Sequence, residues 1–279
     1  MRGFLLAVLA SGMLATGANS AAAQTAVRFT WQQGQTLTYR VDQTTSASDV
    51  VEGQKTETSS KMATVKHWRV LAVDAAGVAT LQLSLTSLRF EVKTPKDTTL
   101  TFDSTHPDES DPQLREQMSR FVGPPLAVLR VDGLGRVLEV KESKQAPVSR
   151  FDSELPFVIQ LPAAVLQPGS AWERSYQVTL EPPHGTGDKF EAVQKYACQK
   201  IEADSVTISL QTTIRNLPAS QLDQVPLLEM RPEGEVVFDA ATGRLHSARL
   251  RIDKELKGLQ GEGSSYHFQS AYTEQLVKE

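Results

Sequence analysis

One cysteine, five histidines and an aromatic share of 6% in 279 residues remove several kinds of protein before any motif is read. A single thiol closes no intramolecular disulfide and builds no cysteine-based zinc site. His67, His106, His184, His246 and His267 lie too far apart for an H-E-x-x-H helix. The chain also lacks the G-x-S-x-G elbow of exposed serine nucleophiles. Neither sign of charge dominates, with 29 basic and 33 acidic residues and a net charge of −4, which leaves no electrostatic footprint for nucleic acid. What is present is an ordinary apolar share, 40%, enough to offset chain entropy with a core.

The N-terminus reads as an address. Met1-Arg2 is a short positive start, Gly3 to Ala18 is mostly apolar, and small residues precede Gln24 at the minus-three and minus-one positions. This is the pattern of a secretory signal peptide over residues 1–23, and it places the mature chain, 24–279, in the periplasm or outside the cell. The apolar run is shorter than the roughly 18 to 20 residues that span a bilayer. No cysteine follows the expected cut, so lipid attachment in the bacterial lipoprotein manner is excluded, and no transmembrane segment is expected in the mature chain. Exported chains meet an oxidising medium in which disulfides persist; this one forms none, so its stability rests on burial.

Period-two alternation dominates the remainder. Leu81-Gln-Leu83-Ser-Leu85 and Val206-Thr-Ile208-Ser-Leu210 alternate strictly, and Tyr266, Phe268, Tyr272 and Leu276 share one parity. Turns are marked by Asp and Gly, as at Asp74–Gly77, Asp132–Gly135 and Asp239–Gly243, giving about twelve strands. The expected fold is mainly β, a large curved antiparallel sheet or half-barrel with a few short helices.

One plan occurs twice. Gly34 to Val41 is echoed by Gly169 to Val178, each leading into a polar, turn-rich stretch. Trp68-Arg-Val70 is echoed by Tyr196-Ala-Cys198, and Asp132 to Val137 by Asp239 to Leu245. The order points to an internal duplication, approximately 24–166 and 167–279, within a single domain. Helix signals are few. Asp111-Pro112 opens a segment with Leu114, Met118 and Phe121 on one face, and Gly123-Pro124-Pro125 stops it. Leu155 to Leu166 is apolar but broken by Pro156 and Pro162, and Leu217 to Pro232 is a third proline-marked connection.

Candidate chemistry is thin. Cys198 sits mid-strand and reads as packing. His246, Ser247 and Asp239 make a triad only on paper, since neighbours on a strand point to opposite faces. The acidic stretch Asp103 to Asp111 lacks EF-hand spacing and reads as a solvated loop ending in a helix cap. Arg136 and Arg244 follow equivalent turn glycines and are expected to pair with Asp132 and Asp239. Trp31, Trp68 and Trp172, with Tyr39, Tyr176 and Tyr196, are expected to build core. No cofactor or metal is signalled.

The succession Gly-x-x-Leu37-x-Tyr39-Arg-Val41, Phe102-Asp-Ser104, Pro125 to Val137, Leu161-Pro162 to Trp172 and Asp239-x-x-Thr-Gly243-Arg-Leu-x-Ser247 resembles a family of uncharacterised secreted bacterial proteins common in planctomycete-type organisms, over nearly all of the mature chain. That resemblance implies no particular activity. In architecture the expected sheet is similar to the half-barrel carriers of lipoproteins and lipids in the bacterial envelope.

The leading reading is a non-enzymatic envelope protein that binds a lipid, lipidated chain or other hydrophobic partner in an apolar groove. Such a site needs roughly 300 Å³. The residues singled out for it are those of the inserts: Leu114, Met118, Phe121, Phe157, Ile159 and Val165. A structural or protein-interaction module of the envelope is the alternative, and an exported hydrolase comes third.

Overall fold

Long alternating segments rich in Thr, Val and Ser pair into ladders because each buries one face and leaves the other to water. The computed structural model describes residues 26–144, 150–151, 154–180, 185 and 187–278, so the signal-peptide pattern and His184 lie outside the described residues. The strands are β1 (Thr36–Val51), β2 (Gln54–Val73), β3 (Ala79–Lys93), β4 (Thr99–Asp103), β5 (Pro125–Val131), β6 (Val137–Ser143), β7 (Ala171–Leu180), β8 (Asp188–Glu202), β9 (Ser205–Ile214), β10 (Glu233–Asp239), β11 (Arg244–Lys257) and β12 (Ser265–Lys278). They form one open, curved antiparallel sheet in the order β6-β5-β3-β2-β1-β12-β11-β10-β9-β8-β7, with β4 paired to β3. The first and last strands are central neighbours, and the sheet is open between β6 and β7.

Bulges give the sheet its bends. Register shifts fall between Val65 and Lys66 and between Val70 and Ala72 on β2, between Cys198 and Lys200 on β8, and between Val237 and Phe238 on β10. The shift opposite Val65 skips Thr86, so the buried parity of β3 changes from Leu81 and Leu83 to Leu88.

Two excursions leave the sheet. After β4, a 3₁₀ turn (Pro107–Glu109) leads to helix α1 (Pro112–Met118), whose cap Asp111 accepts hydrogen bonds from Gln113 N and Leu114 N, and a further 3₁₀ turn closes it at 119–121. After β9, helix α2 (Gln221–Gln224) runs into a 3₁₀ stretch, Val225–Met230. One side thus runs through four strands, β1 to β4, and the other through three, β7 to β9, before each makes an excursion and then a hairpin around an Asp-Gly turn.

One expectation is corrected here. The polar stretch after Val41 is strand rather than turn, and β1 runs on to Val51 before Glu52 and Gly53, both at positive φ, reverse the chain. Ladders to β2 on one side and β12 on the other override the turn tendency of Ser46, Ser48 and Asp49.

The main core fills one end of the concave face. Leu37, Tyr39, Trp68, Val70, Leu81, Leu129, Val131, Tyr196, Cys198, Ile208, Phe238 and Leu245 project into it, covered by 155–161 and by the N-terminal stretch 27–31. Phe29 N bonds to Gly133 O and Thr30 N to Gly243 O, so this stretch touches both Asp-Gly hairpins. The contact at Gly135 is close enough that a Cβ there would lie 2.7 Å from Ile159 O and from the Phe29 ring.

Candidate ligand-binding face

The concave face divides along its length into a sealed end, a buried polar belt and an open end. Phe157 and Ile159 belong to the sealed end and are fully buried, Phe157 meeting Trp68 edge-on at 4.9 Å between centroids. Backbone carbonyls of the covering segment accept from the sheet: Trp172 Nε1 donates to Gln160 O at 2.6 Å and the Tyr196 hydroxyl to Val158 O at 2.6 Å.

The belt is built from residues of inward parity on three elements. Lys66 of β2 has its side chain 4% exposed, with Nζ 2.8 Å from Glu154 and 2.9 Å from Glu274 of β12, and it also donates to Leu155 O. The Tyr272 hydroxyl donates to the other oxygen of Glu274. Burial alone works against the Lys66 charge, yet the two carboxylates hold its pKa above the usual lysine value. Burial likewise opposes the Glu154 charge, but Lys66 and Arg150 outweigh it and the carboxyl sits below its ordinary value. For Glu274 burial wins and the carboxyl is pushed up. Tyr272 is pushed well above the ordinary phenol value by burial and then by the two carboxylates. Two carboxylates therefore share the buried lysine, and Arg150, 3.9 Å from Glu154, is the second cation beside them.

Beyond the belt the face opens. Inward positions here are small or half-buried: Gln43, Thr45 and Ala47 on β1, Met62 and Ser60 on β2, Ser270 and Tyr266 on β12. Two apolar clusters flank this strip. Leu88, Phe102 and Leu114 lie on one side with Met62, Phe90, Val92 and Met118 packed on them; Leu228, Ile252 and Phe268 lie on the other with Ala47, Leu256 and Tyr266. Between the strand ends is a recess of about 290 Å³ lined by Ala47, Asp49, Thr56, Thr58, Pro95 and Tyr266, with Glu57 at its rim.

The six residues singled out from sequence do not converge. Leu114 and Met118 share the cluster over β3 and β4; Phe157 and Ile159 share the sealed core. Phe121 is half-buried with the Arg120 guanidinium 5.0 Å from its ring centroid, and Val165 is half-buried after Pro162. None of them lines the recess. The belt went unread although its signal was available, since Lys66 and Glu274 are charges on the apolar parity of their strands.

Other expectations resolve individually. Asp132 pairs with Arg136 at 2.7 Å as anticipated, but Arg244 departs from the pattern. Its guanidinium donates to Thr30 Oγ1, Gln35 Oε1 and Gly243 O and lies over Trp31, while Asp239 accepts from its own turn amides, Ala241 N and Thr242 N. The N-terminal stretch brings Thr30 and Trp31 to Arg244, a contact invisible in the hairpin alone. Cys198 is 1% exposed in the main core, and burial raises its thiol pKa. His246 is exposed and Asp239 is held in its turn. Among the described residues no three His, Cys, Asp or Glu side chains gather to hold a metal ion, and no helix is long and apolar enough to cross a membrane.

No family model matches the chain, and no curated protein sequence matches it. Among solved structures, the chain is similar to lipovitellin, a structure described for its lipid–protein interactions, at 12% identity and a TM-score of 0.45. The match covers 88% of this chain but only 25% of lipovitellin. It is also similar to DynF from the dynemicin biosynthesis pathway of Micromonospora chersina, at 8% identity and a TM-score of 0.26, over 92% of this chain and 88% of that one. Neither likeness decides what this chain binds.

Proposed function

We propose that the protein is a non-enzymatic, exported binding protein of the cell envelope that holds a hydrophobic chain along the open end of its concave face. The observation that carries this reading is the unequal filling of the sheet face: Trp68, Phe157 and Ile159 seal one end, while at the other Ala47 and Tyr266 line the recess half-buried and Met62, Phe90 and Val92 stay half-buried in the flanking cluster. Half-buried apolar side chains between two packed clusters gain by covering, and an alkyl chain laid along the strip would supply about 25 cal/mol for each Å² it removes from water. The leader-like residues 1–23 support export. The burial of Cys198 and the dispersal of the histidines support a role without covalent chemistry.

The test is native mass spectrometry and lipid extraction on protein purified from its own host, with Ala47→Trp as the variant that fills the recess. Wild type is expected to carry a hydrophobic molecule that Ala47→Trp loses. A wild-type protein that carries nothing and takes up no chain when offered one would leave the alternative, an envelope interaction module, as the better reading.

A further inference from the structure

We propose that the outer edge of β7 docks a second copy of the chain, the two β7 strands pairing antiparallel about Ser175 so that one sheet continues into the next. The sheet ends at β6 and β7, and the two ends are finished differently. β6 has seven residues, its ladder to β5 is bulged twice, and Glu139, Lys141 and Glu142 stand exposed on it, all features that keep an edge from pairing. β7 carries neither bulge, lysine nor proline: its ten residues stay in unbroken register with β8 from Ala171 to Leu180. Among the described residues no strand pairs with its other side.

The ladders fix which groups face outward. Cys198 N donates to Ser170 O at 2.8 Å and Arg215 N to Glu191 O at 2.8 Å, so the even residues of β7 bond to β8, and the amides and carbonyls of Ala171, Glu173, Ser175, Gln177 and Thr179 point to the open edge. A twofold axis through Ser175 pairs these groups with those of the second copy and keeps both concave faces on one side. In that register Glu173 meets Gln177 of the second copy, Arg174 meets its Tyr176 ring and Trp172 meets its Val178, with no like charges opposed. Centring on Arg174 would set that cation against its own copy, and centring on Tyr176 would give it Val178 in place of an aromatic face. The side chains of Ala171, Glu173, Ser175 and Gln177 are exposed, so the outer face of this stretch is uncovered.

The experiment is sedimentation equilibrium of the protein purified from its host, beside oxidative cross-linking. Wild type is expected to form a reversible dimer. Ser175→Pro removes the amide at the axis and leaves the β8 ladder its bonds, while Ser175→Lys, at an exposed side chain, sets two cations opposite each other with Cα atoms about 5.5 Å apart. Each variant should keep the far-ultraviolet circular dichroism of wild type and weaken the dimer at least ten-fold. Ser175→Cys should form an intermolecular disulfide on mild oxidation, because that Cα separation suits a disulfide and the native thiol, Cys198, is 1% exposed. Gln177→Cys, two residues from the axis, should not. A wild-type monomer at every concentration, a dimer that survives in either folded variant, or cross-linking of Gln177→Cys as readily as Ser175→Cys would overturn the inference, and none of these outcomes bears on the concave face.

Discussion

Lys66 is a buried cation held between Glu154 and Glu274. Replacing it by methionine keeps the stem's volume but strands the buried Glu274 and leaves Glu154 with only Arg150 at 3.9 Å, so Lys66→Met is expected to cost about 3–5 kcal/mol in urea denaturation. Glu274→Gln should behave oppositely. Its folded-state pKa is raised, so in wild type the cost of its charge appears as pH rises through the window between the ordinary carboxylate pKa and that raised value. The glutamine carries no such cost, and the variant should match or exceed wild type at pH 7 and lose that advantage as pH falls through the same window. Glu154 titrates with the other sign: its pKa is lowered, so the stability it contributes is present above the ordinary carboxylate pKa and is lost as pH falls through the lowered one. The difference between chemical melts of wild type and Glu274→Gln from pH 7 to pH 4 reads the Glu274 contribution, because Glu154 is common to both.

At the scale of elements, the covers are fastened by local features that a single substitution reaches. Asp111 satisfies two orphan amides of α1, and Asp111→Ala should cost about 1 kcal/mol and loosen the cluster under Leu114 without disturbing the sealed core. Gly135→Ala is expected to be worse than its turn position suggests. The residue has φ of +81° and its added methyl would press on Ile159 O and the Phe29 ring, so both covers of the sealed end must shift. A fall in melting temperature well beyond that of the same change at Gly77, where φ is also positive but the space is open, would confirm the close approach. These elements show what sequence does and does not reveal. Strands with strict alternation, the Asp-Gly hairpins and the capped helix were readable because their causes lie within a few residues. The extension of β1 to Val51 was not, because it depends on ladders with β2 and β12. The same holds for the belt, whose partners Lys66 and Glu274 are far apart in the chain and meet only through the pairing of β1 with β12. Arg244 was misassigned to Asp239 for the same reason, its partners Thr30 and Gln35 arriving from the other end of the chain.

Over the whole molecule, packing is graded along the strands. Amide hydrogens near Val70, Leu129 and Ile208 should exchange only on global unfolding, while those near Ala47 and Thr58 should exchange through smaller openings and slow when a hydrophobic ligand is bound. Uniform protection along β1 would contradict the division into sealed and open ends. The pairing of β1 with β12 carries a further consequence, in time rather than space. The strand at the middle of the sheet that emerges first must wait for the strand that emerges last, so neither flank has its central neighbour until synthesis has passed residue 265. Such a closure between distant parts of the chain makes folding slow and late, and a chain shortened before β12 should remain a binding substrate for chaperones rather than a smaller version of the fold.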